Sequence, residues 1–312
     1  MKRIDPVSYS LWKKDKAAFA QAFGDSFVQT GFAIISDHTI PADIIAAAAE
    51  QTKAFFALPA DVKRQYADPD NGFQRGYSPI GSENAKGEAI SDFKEFWHTG
   101  RALPQGSAYR AVMKDTPQVM QLPEFNAASR ALFEALDSFG VELLRAIALH
   151  LGMKEDYFDK AVNHGNSILR LLHYPPQTNP QLNGSVRAAA HEDINLITLL
   201  LGAEEAGLQA KHRNGDWIDI NAPDGALVVN AGDMLQRLTA WHIPSTTHRV
   251  LNPSPHRAKF PRYSAPFFLH PNQDYVIEPI AEYVAKTGRG EPPITAGDYL
   301  TERLREIGLL KL

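Results

Sequence analysis

Hydrophobic residues follow two different periods along the chain, and the change falls near residue 167. Up to that point apolar residues mostly recur at helical spacing. Lys14 to Gly31 carries Ala18, Phe19, Ala22, Phe23 and Phe27 on one stripe, a pattern that predicts an amphipathic helix. Gly31 to Ser36 reads as a short strand, and Pro41 opens an alanine-rich helix to about Phe56, since proline is tolerated in a helix's first turn. The longest stripe spans 123–151, with Phe133, Leu136, Phe139, Leu143, Leu144 and Ile147 aligned and Gly152 ending it. Beyond 167, short β-like runs alternate with turn residues: Ile168–Tyr174, Ile194–Leu201, Leu208–His212, Trp217–Ile220, Ala226–Asn230, Met234–Thr239, Thr247–Leu251 and Tyr263–Leu269. Asn214-Gly215 between two of them predicts a type I′ hairpin. Helical spacing returns from Pro279, most clearly over Asp298 to Leu309.

Eight short strands at this spacing predict a sandwich or barrel. The expected fold is α+β with a mainly β core: a jelly roll (double-stranded β-helix) under a helical N-terminal layer, closed by a C-terminal helix. The division is expected near residue 160, with 1–160 mainly helical and 161–312 the jelly roll plus its C-terminal helix, the two working as one unit.

Composition narrows the chemistry. The 312 residues contain no cysteine, so disulfides, Cys-ligated clusters and thiol nucleophiles are excluded, and any metal must be held by His, Asp or Glu. A formal net charge of −4 argues against a nucleic-acid partner, which calls for a basic stripe. No apolar run has the length of a membrane span, and no apolar stretch follows the first charged residues. A cytoplasmic protein is expected, acting on a small molecule, without nucleic acid, membrane or an evident obligate protein partner.

His191-Glu192-Asp193 precedes the apolar run Ile194–Leu201. In a strand, side chains i and i+2 share a face, so His191 and Asp193 are expected to converge while Glu192 turns away. Two histidines and one carboxylate with open positions are the facial triad of non-haem iron(II) oxygenases. Spacing alone chooses neither the third donor nor iron over zinc.

The ordered motifs do. The C-terminal half has His191-x-Asp193, Val229-Asn230-Ala231-Gly232-Asp233, His248-Arg249-Val250, and Arg262-Tyr263-Ser264 followed by Pro266-Phe267-Phe268. The N-terminal half has Gly31-Phe32, Phe55-Phe56-Ala57-Leu58-Pro59, Gly76-Tyr77 and Asp92-Phe93-Lys94-Glu95. In this order, over nearly the whole chain, they resemble the isopenicillin N synthase-like family of iron(II)/2-oxoglutarate-dependent dioxygenases. The resemblance implies that His191, Asp193 and His248 hold Fe(II), and that O2 and 2-oxoglutarate are cosubstrates. Arg262 and Ser264 would then bind the distal carboxylate, joined by Tyr174. The implied reaction oxidises, by default hydroxylates, a C–H bond of a small organic substrate, releasing succinate and CO2. Many relatives have asparagine where this chain has Leu172.

In isopenicillin N synthase itself the Arg-x-Ser pair binds substrate, so an oxidase or cyclase without 2-oxoglutarate is the alternative. A catalytically silent binding protein has no reason to keep both the triad and the Arg-x-Ser pair. A zinc hydrolase would need a general base, and Glu192 is expected to face away. His242, close to His248, is set aside as a ligand. His173 is expected to face away from Tyr174's side, and Arg249 to act structurally. Phe73, Arg75, Tyr77 and Trp97 lie where relatives line the substrate pocket, with plain packing the competing role.

Overall fold

The computed structural model describes residues 3–82, 93–176, 188–201, 207–252 and 256–306. Asp92 and residues 307–309, which belong to stretches read above, lie outside the described residues.

The chain opens with strand β1 (Pro6–Ser8) and helices α1 (Ser10–Lys14) and α2 (Lys16–Thr30), so the stripe expected from Lys14 begins as two helices. Asp15 separates them. Its extended backbone breaks the first, and its carboxylate accepts from the Ala18 N–H at 3.0 Å to cap the second. Gly31, at φ 72°, ends α2. Strand β2 (Phe32–Ser36), α3 (Ala42–Phe56), α4 (Ala60–Arg64), β3 (Gly76–Ser78) and β4 (Glu95–Gly100) follow. Then come α5 (Pro123–His150), α6 (Asp159–Val162), β5 (Ile168–Tyr174), β6 (Ala188–His191), β7 (Ile197–Leu201), β8 (Leu208–Lys211), β9 (Trp217–Asp219) and β10 (Leu227–Ala231). The chain continues with α7 (Asp233–Leu238), β11 (His248–Val250), β12 (Arg262–Ser264), β13 (Pro266–Leu269), β14 (Val276–Ile277), α8 (Ala281–Thr287), β15 (Ile294–Thr295) and α9 (Ala296–Glu306).

Among the described residues, nine strands form one sheet in the order β1-β2-β10-β7-β13-β5-β4-β3, with β12 also paired to β5; four more form a second sheet, β6-β11-β8-β9. The jelly-roll core is as expected. The N-terminal half is less purely helical than its periodicity predicts, because β1 to β4 all join the large sheet. Alternation on β5 divides the large sheet's two faces. Leu169, Leu171 and His173 face the helices, and Arg170, Leu172 and Tyr174 face a cavity between the sheets.

Two local readings are corrected. Met234–Thr239 is not a strand but lies largely in α7. Its buried Met234, Leu235 and Leu238 lie at i, i+1 and i+4, a helical spacing. Gly232 makes the turn into α7 possible, because a Cβ there would stand 2.2 Å from the Asn195 carbonyl oxygen. The β8–β9 hairpin exists, but it is not type I′. His212 and Asp216 close it, the Gly215 N–H donates to the His212 carbonyl at 2.8 Å, and positive φ occurs at Gly215 and not at Asn214. This is a three-residue loop with glycine in the left-handed position.

The central helix α5 fixes the helical layer to the sheet. Phe133 meets Phe267 of β13 edge to face, with ring centroids 5.1 Å apart. Gly140 lets the helix come down on β13, where a Cβ would lie 2.5 Å from Leu269 Cδ1. On its other side, Phe125 stacks on Phe55 of α3 at 4.6 Å. Phe133→Ala empties the centre of this seam and is expected to cost about 3–5 kcal/mol, read as a lowered urea midpoint at unchanged slope.

Candidate active site

The cavity between the sheets has a volume of about 480 Å³, within the range of about 300–1,000 Å³ usual for small-molecule pockets. His191, Asp193 and His248 meet in its wall, with one possible donor atom from each lying within 4.8 Å of the others. The two histidines are register partners, His191 ending β6 and His248 starting β11, and their ring centroids are 4.4 Å apart. Each ring is turned by its own backbone neighbour. His191 Nδ1 lies 2.7 Å from the Ala189 carbonyl, and His248 Nδ1 lies 3.1 Å from the Thr246 carbonyl. A carbonyl only accepts, so both Nδ1 atoms carry the proton and both Nε2 lone pairs are left for a metal.

Asp193 reaches the same point by a different route from the one strand parity predicts. The strand ends at His191, and Asp193 lies in irregular backbone before β7. Its position is set by hydrogen bonds. Oδ2 accepts from Thr198 Oγ1 at 2.6 Å and from Asn230 Nδ2 at 2.8 Å, and Thr198 and Asn230 are themselves register partners on β7 and β10. Oδ1 is turned toward His191 Nε2 at 3.9 Å. Burial alone would raise the Asp193 pKa. The facing His248 and His191, with the Thr198 and Asn230 hydrogen bonds, outweigh it and hold the carboxyl below its ordinary value. The His191 pKa is also pushed down, by desolvation among the walls and then by His248, which favours the neutral ring that metals take. Two imidazole nitrogens and one carboxylate oxygen can hold a divalent ion with positions left open. Glu192 turns outward to accept from Thr247 Oγ1 at 2.7 Å. His242 stacks on Tyr283 instead.

Further along the same wall lie Arg262, Ser264 and Tyr174. Strand β12 pairs with β5 so that Arg262 opposes Tyr174 and Ser264 opposes Leu172, and all four line the cavity. The buried Arg262 guanidinium lies 5.3 Å from the centre of the Tyr174 ring. Leu172 presents an alkyl surface at this end.

Phe73, Arg75, Tyr77 and Trp97 do not line this cavity. Arg75 is buried and donates to Asn166 Oδ1 at 2.5 Å. Trp97 donates to Thr99 Oγ1 at 3.0 Å within the helical layer. Phe73 contributes its carbonyl, which accepts from His98 Nδ1. The cavity is lined instead by Lys94 and Arg170, which the motifs did not single out; four residues before Tyr174 on one strand, Arg170 has the same parity.

Behind the wall formed by Arg262, Ser264 and Tyr174 is a buried charge network. Glu95 of β4 accepts from Lys63 Nζ at 2.8 and 3.0 Å and from Tyr77 at 2.5 Å, and lies 2.8 Å from His173 Nδ1. His173 opposes Tyr263 of β12 and stacks on its ring at 4.9 Å. Tyr263 lies between Arg262 and Ser264, so the stack sets how β12 sits on β5. Arg249 also acts structurally, its guanidinium 3.9 Å above the Trp217 ring.

The chain is similar to known proteins over nearly its whole length. Residues 4–123 match the family model of the non-haem dioxygenase in morphine synthesis N-terminal region, and residues 165–271 match that of the 2OG-Fe(II) oxygenase superfamily. A 2-oxoglutarate-Fe(II) type oxidoreductase of Aspergillus fumigatus is 30% identical over 96% of this chain and 90% of its own. A proline hydroxylase of Petromyces alliaceus is 32% identical over 92% of each. Among solved structures, a 2OG-Fe(II) oxygenase family protein of Caulobacter crescentus is 48% identical, with a TM-score of 0.91 over 98% of this chain and 100% of that one. A full-length Neurospora crassa protein in complex with alpha-KG and thymine is 31% identical, with a TM-score of 0.85 over 97% of this chain and 96% of that one.

The Glu95 network makes stability depend on pH. Burial raises the Glu95 pKa, but hydrogen bonds from His173, Lys63 and Tyr77 bring it below the ordinary 4.5. A depressed carboxyl stabilises the fold above its unfolded value, and that contribution is lost as pH falls through the lower folded one. Glu95→Gln strands the buried Lys63 ammonium and is expected to cost about 3–5 kcal/mol at pH 7. In urea titrations the difference from the parent protein should shrink as the pH is taken below 4.5.

Proposed function

We propose the following roles for a chain that belongs to the 2-oxoglutarate–iron(II) oxygenase superfamily, in its isopenicillin N synthase-like branch: His191, Asp193 and His248 hold the iron, and Arg262, Ser264 and Tyr174 hold 2-oxoglutarate. The enzyme is an Fe(II)- and 2-oxoglutarate-dependent oxidoreductase that consumes O2. The observation that carries the assignment of residues is the set of three donors turned to one point, two Nε2 atoms and a carboxylate, on a wall shared with Arg262.

When bound, iron supplies the site at which decarboxylation of 2-oxoglutarate to succinate and CO2 activates O2 for attack on a C–H bond. The protein's own residues do the positioning. Thr198 and Asn230 hold the Asp193 carboxylate by Oδ2. The carbonyls of Ala189 and Thr246 fix both imidazole tautomers. Arg262 offers a planar fork that matches a carboxylate, and the Ser264 hydroxyl, on the same strand face, adds a donor. Leu172 removes a polar contact from that end, which leaves the arginine fork as the main anchor. The apolar walls at Leu200, Val228 and Phe268 exclude water from the reacting bond. Hydroxylation of a small organic molecule is the proposed outcome, in keeping with the small ligand thymine in the Neurospora crassa complex. The names of the relatives favour use of 2-oxoglutarate over the oxidase reading without it.

Anaerobic addition of 2-oxoglutarate to the Fe(II)-loaded protein should give a weak visible charge-transfer band, and O2 should then release succinate. Absence of both sinks the assignment. Arg262→Lys keeps the charge but loses the fork, and should raise the 2-oxoglutarate Kd about 10- to 100-fold. Thr198→Val removes one of the two hydrogen bonds that hold the Asp193 carboxylate and should weaken metal binding about 10- to 100-fold, read by competition with a chelator. The folding midpoint without metal serves as the control.

A further inference from the structure

Thr198 has a single hydroxyl hydrogen, and its direction decides whether Asp193 is held. Two acceptors are in reach, Asp193 Oδ2 at 2.6 Å and Asn195 Oδ1 at 3.4 Å. A freely turning hydroxyl would serve either. Asn195 removes the choice. Its side chain is completely buried, and Nδ2 lies 3.1 Å from the Ile197 carbonyl and 3.0 Å from Thr198 Oγ1. A carbonyl only accepts, so the amide nitrogen and not the amide oxygen must face Ile197. The same orientation aims the second N–H at Thr198 Oγ1. The hydroxyl oxygen then accepts from Asn195, and its own hydrogen is left for the nearer, charged acceptor, Asp193 Oδ2.

The amide is held against turning over. The turn into α7 packs on it so closely that a Cβ at Gly232 would stand 2.4 Å from Asn195 Oδ1. The Met234 N–H donates to the Asn195 carbonyl at 3.2 Å, and the Gly232 N–H to the Leu196 carbonyl at 2.9 Å. A flipped amide would set its oxygen against the Ile197 carbonyl and leave a buried donor without an acceptor, which folded proteins avoid. The packed turn thus fixes the amide, the amide fixes the hydroxyl, and the hydroxyl fixes the carboxylate. Asn230 Nδ2 donates to the same Oδ2 at 2.8 Å, so both bonds fall on one oxygen and Oδ1 stays turned toward His191. Asn195 is not one of the three donors and does not line the cavity. Its route to the metal runs through Thr198.

We propose that Asn195 is a positioning residue for the metal centre: by donating to Thr198 Oγ1 it directs the Thr198 hydrogen to Asp193 and keeps the metal-binding carboxylate in one orientation. This rests on the assignment of His191, Asp193 and His248 to the metal, and the experiment separates the two.

Co(II) is the probe, and its Kd is measured by competition with a chelator for the parent protein, Asn195→Leu, Thr198→Val and the double variant. Leucine keeps the volume of asparagine and loses both donors. In the parent background Asn195→Leu should raise the Co(II) Kd about 3- to 10-fold, as loss of one directed hydrogen bond implies. In the Thr198→Val background the same change should alter the Kd less than about twofold, because no hydroxyl remains to be oriented. A residue that only supports the fold would cost the same in both backgrounds. Asn195→Ala repeats the comparison where leucine is not accommodated. An unchanged Kd in the folded Asn195 variant, equal losses in the two backgrounds, or failure of both Asn195 variants to fold overturns the proposal. A parent protein that binds no Co(II) overturns the metal assignment, and this proposal with it.

Discussion

A carboxylate buried beside two imidazoles is costly unless each of its oxygens has work to do, and the fold is organised around meeting that need for Asp193. Thr198 and Asn230 supply two hydrogen bonds to Oδ2 from adjacent central strands of the large sheet. Gly232 brings the next turn over the Asn195 carbonyl, and the Asp233 N–H donates to the Asp193 carbonyl at 2.7 Å. The large sheet thus fixes the carboxylate, and the small sheet fixes both imidazoles. The site exists because the two sheets face each other.

The helical layer governs the site from behind. Seated on β13 through Phe133 and Gly140, α5 settles where Phe268 and Thr198 lie on the opposite face. The Lys63–Glu95–His173 network does the same for β12, by way of Tyr263. Alternation along β5 divides these duties. Leu169, Leu171 and His173 lock into the helical layer, and Arg170, Leu172 and Tyr174 form the cavity surface.

Much of this was legible in the chain. The jelly-roll strands and the long helix follow from periodicity, and the ordered motifs single out His191, Asp193 and His248, whose donor atoms come together, and Arg262, Ser264 and Tyr174, which line the same cavity. Asp193 reached the right place for a different reason, through hydrogen bonds from Thr198 and Asn230 and not through strand parity, and such partners leave no local trace in sequence. Strand β4 was missed because Glu-Phe-Trp-His-Thr-Gly has no clean alternation; its glutamate is buried only because Lys63, distant in sequence, neutralises it. Met234–Thr239 was misread because a short apolar run does not distinguish strand from helix until its flanking turn is known. Arg170 escaped notice because an arginine in a strand usually faces water.

The register pairing of His191 with His248 also ties the site to the seam between the sheets. Both imidazoles belong to neighbouring strands of the four-stranded sheet, whereas the carboxylate is tied to the nine-stranded one. The spacing between the two nitrogens is therefore set within one sheet, and their spacing from the oxygen by how the two sheets pack. A core substitution that shifts one sheet against the other alters the donor triangle on two of its sides and leaves the third unchanged.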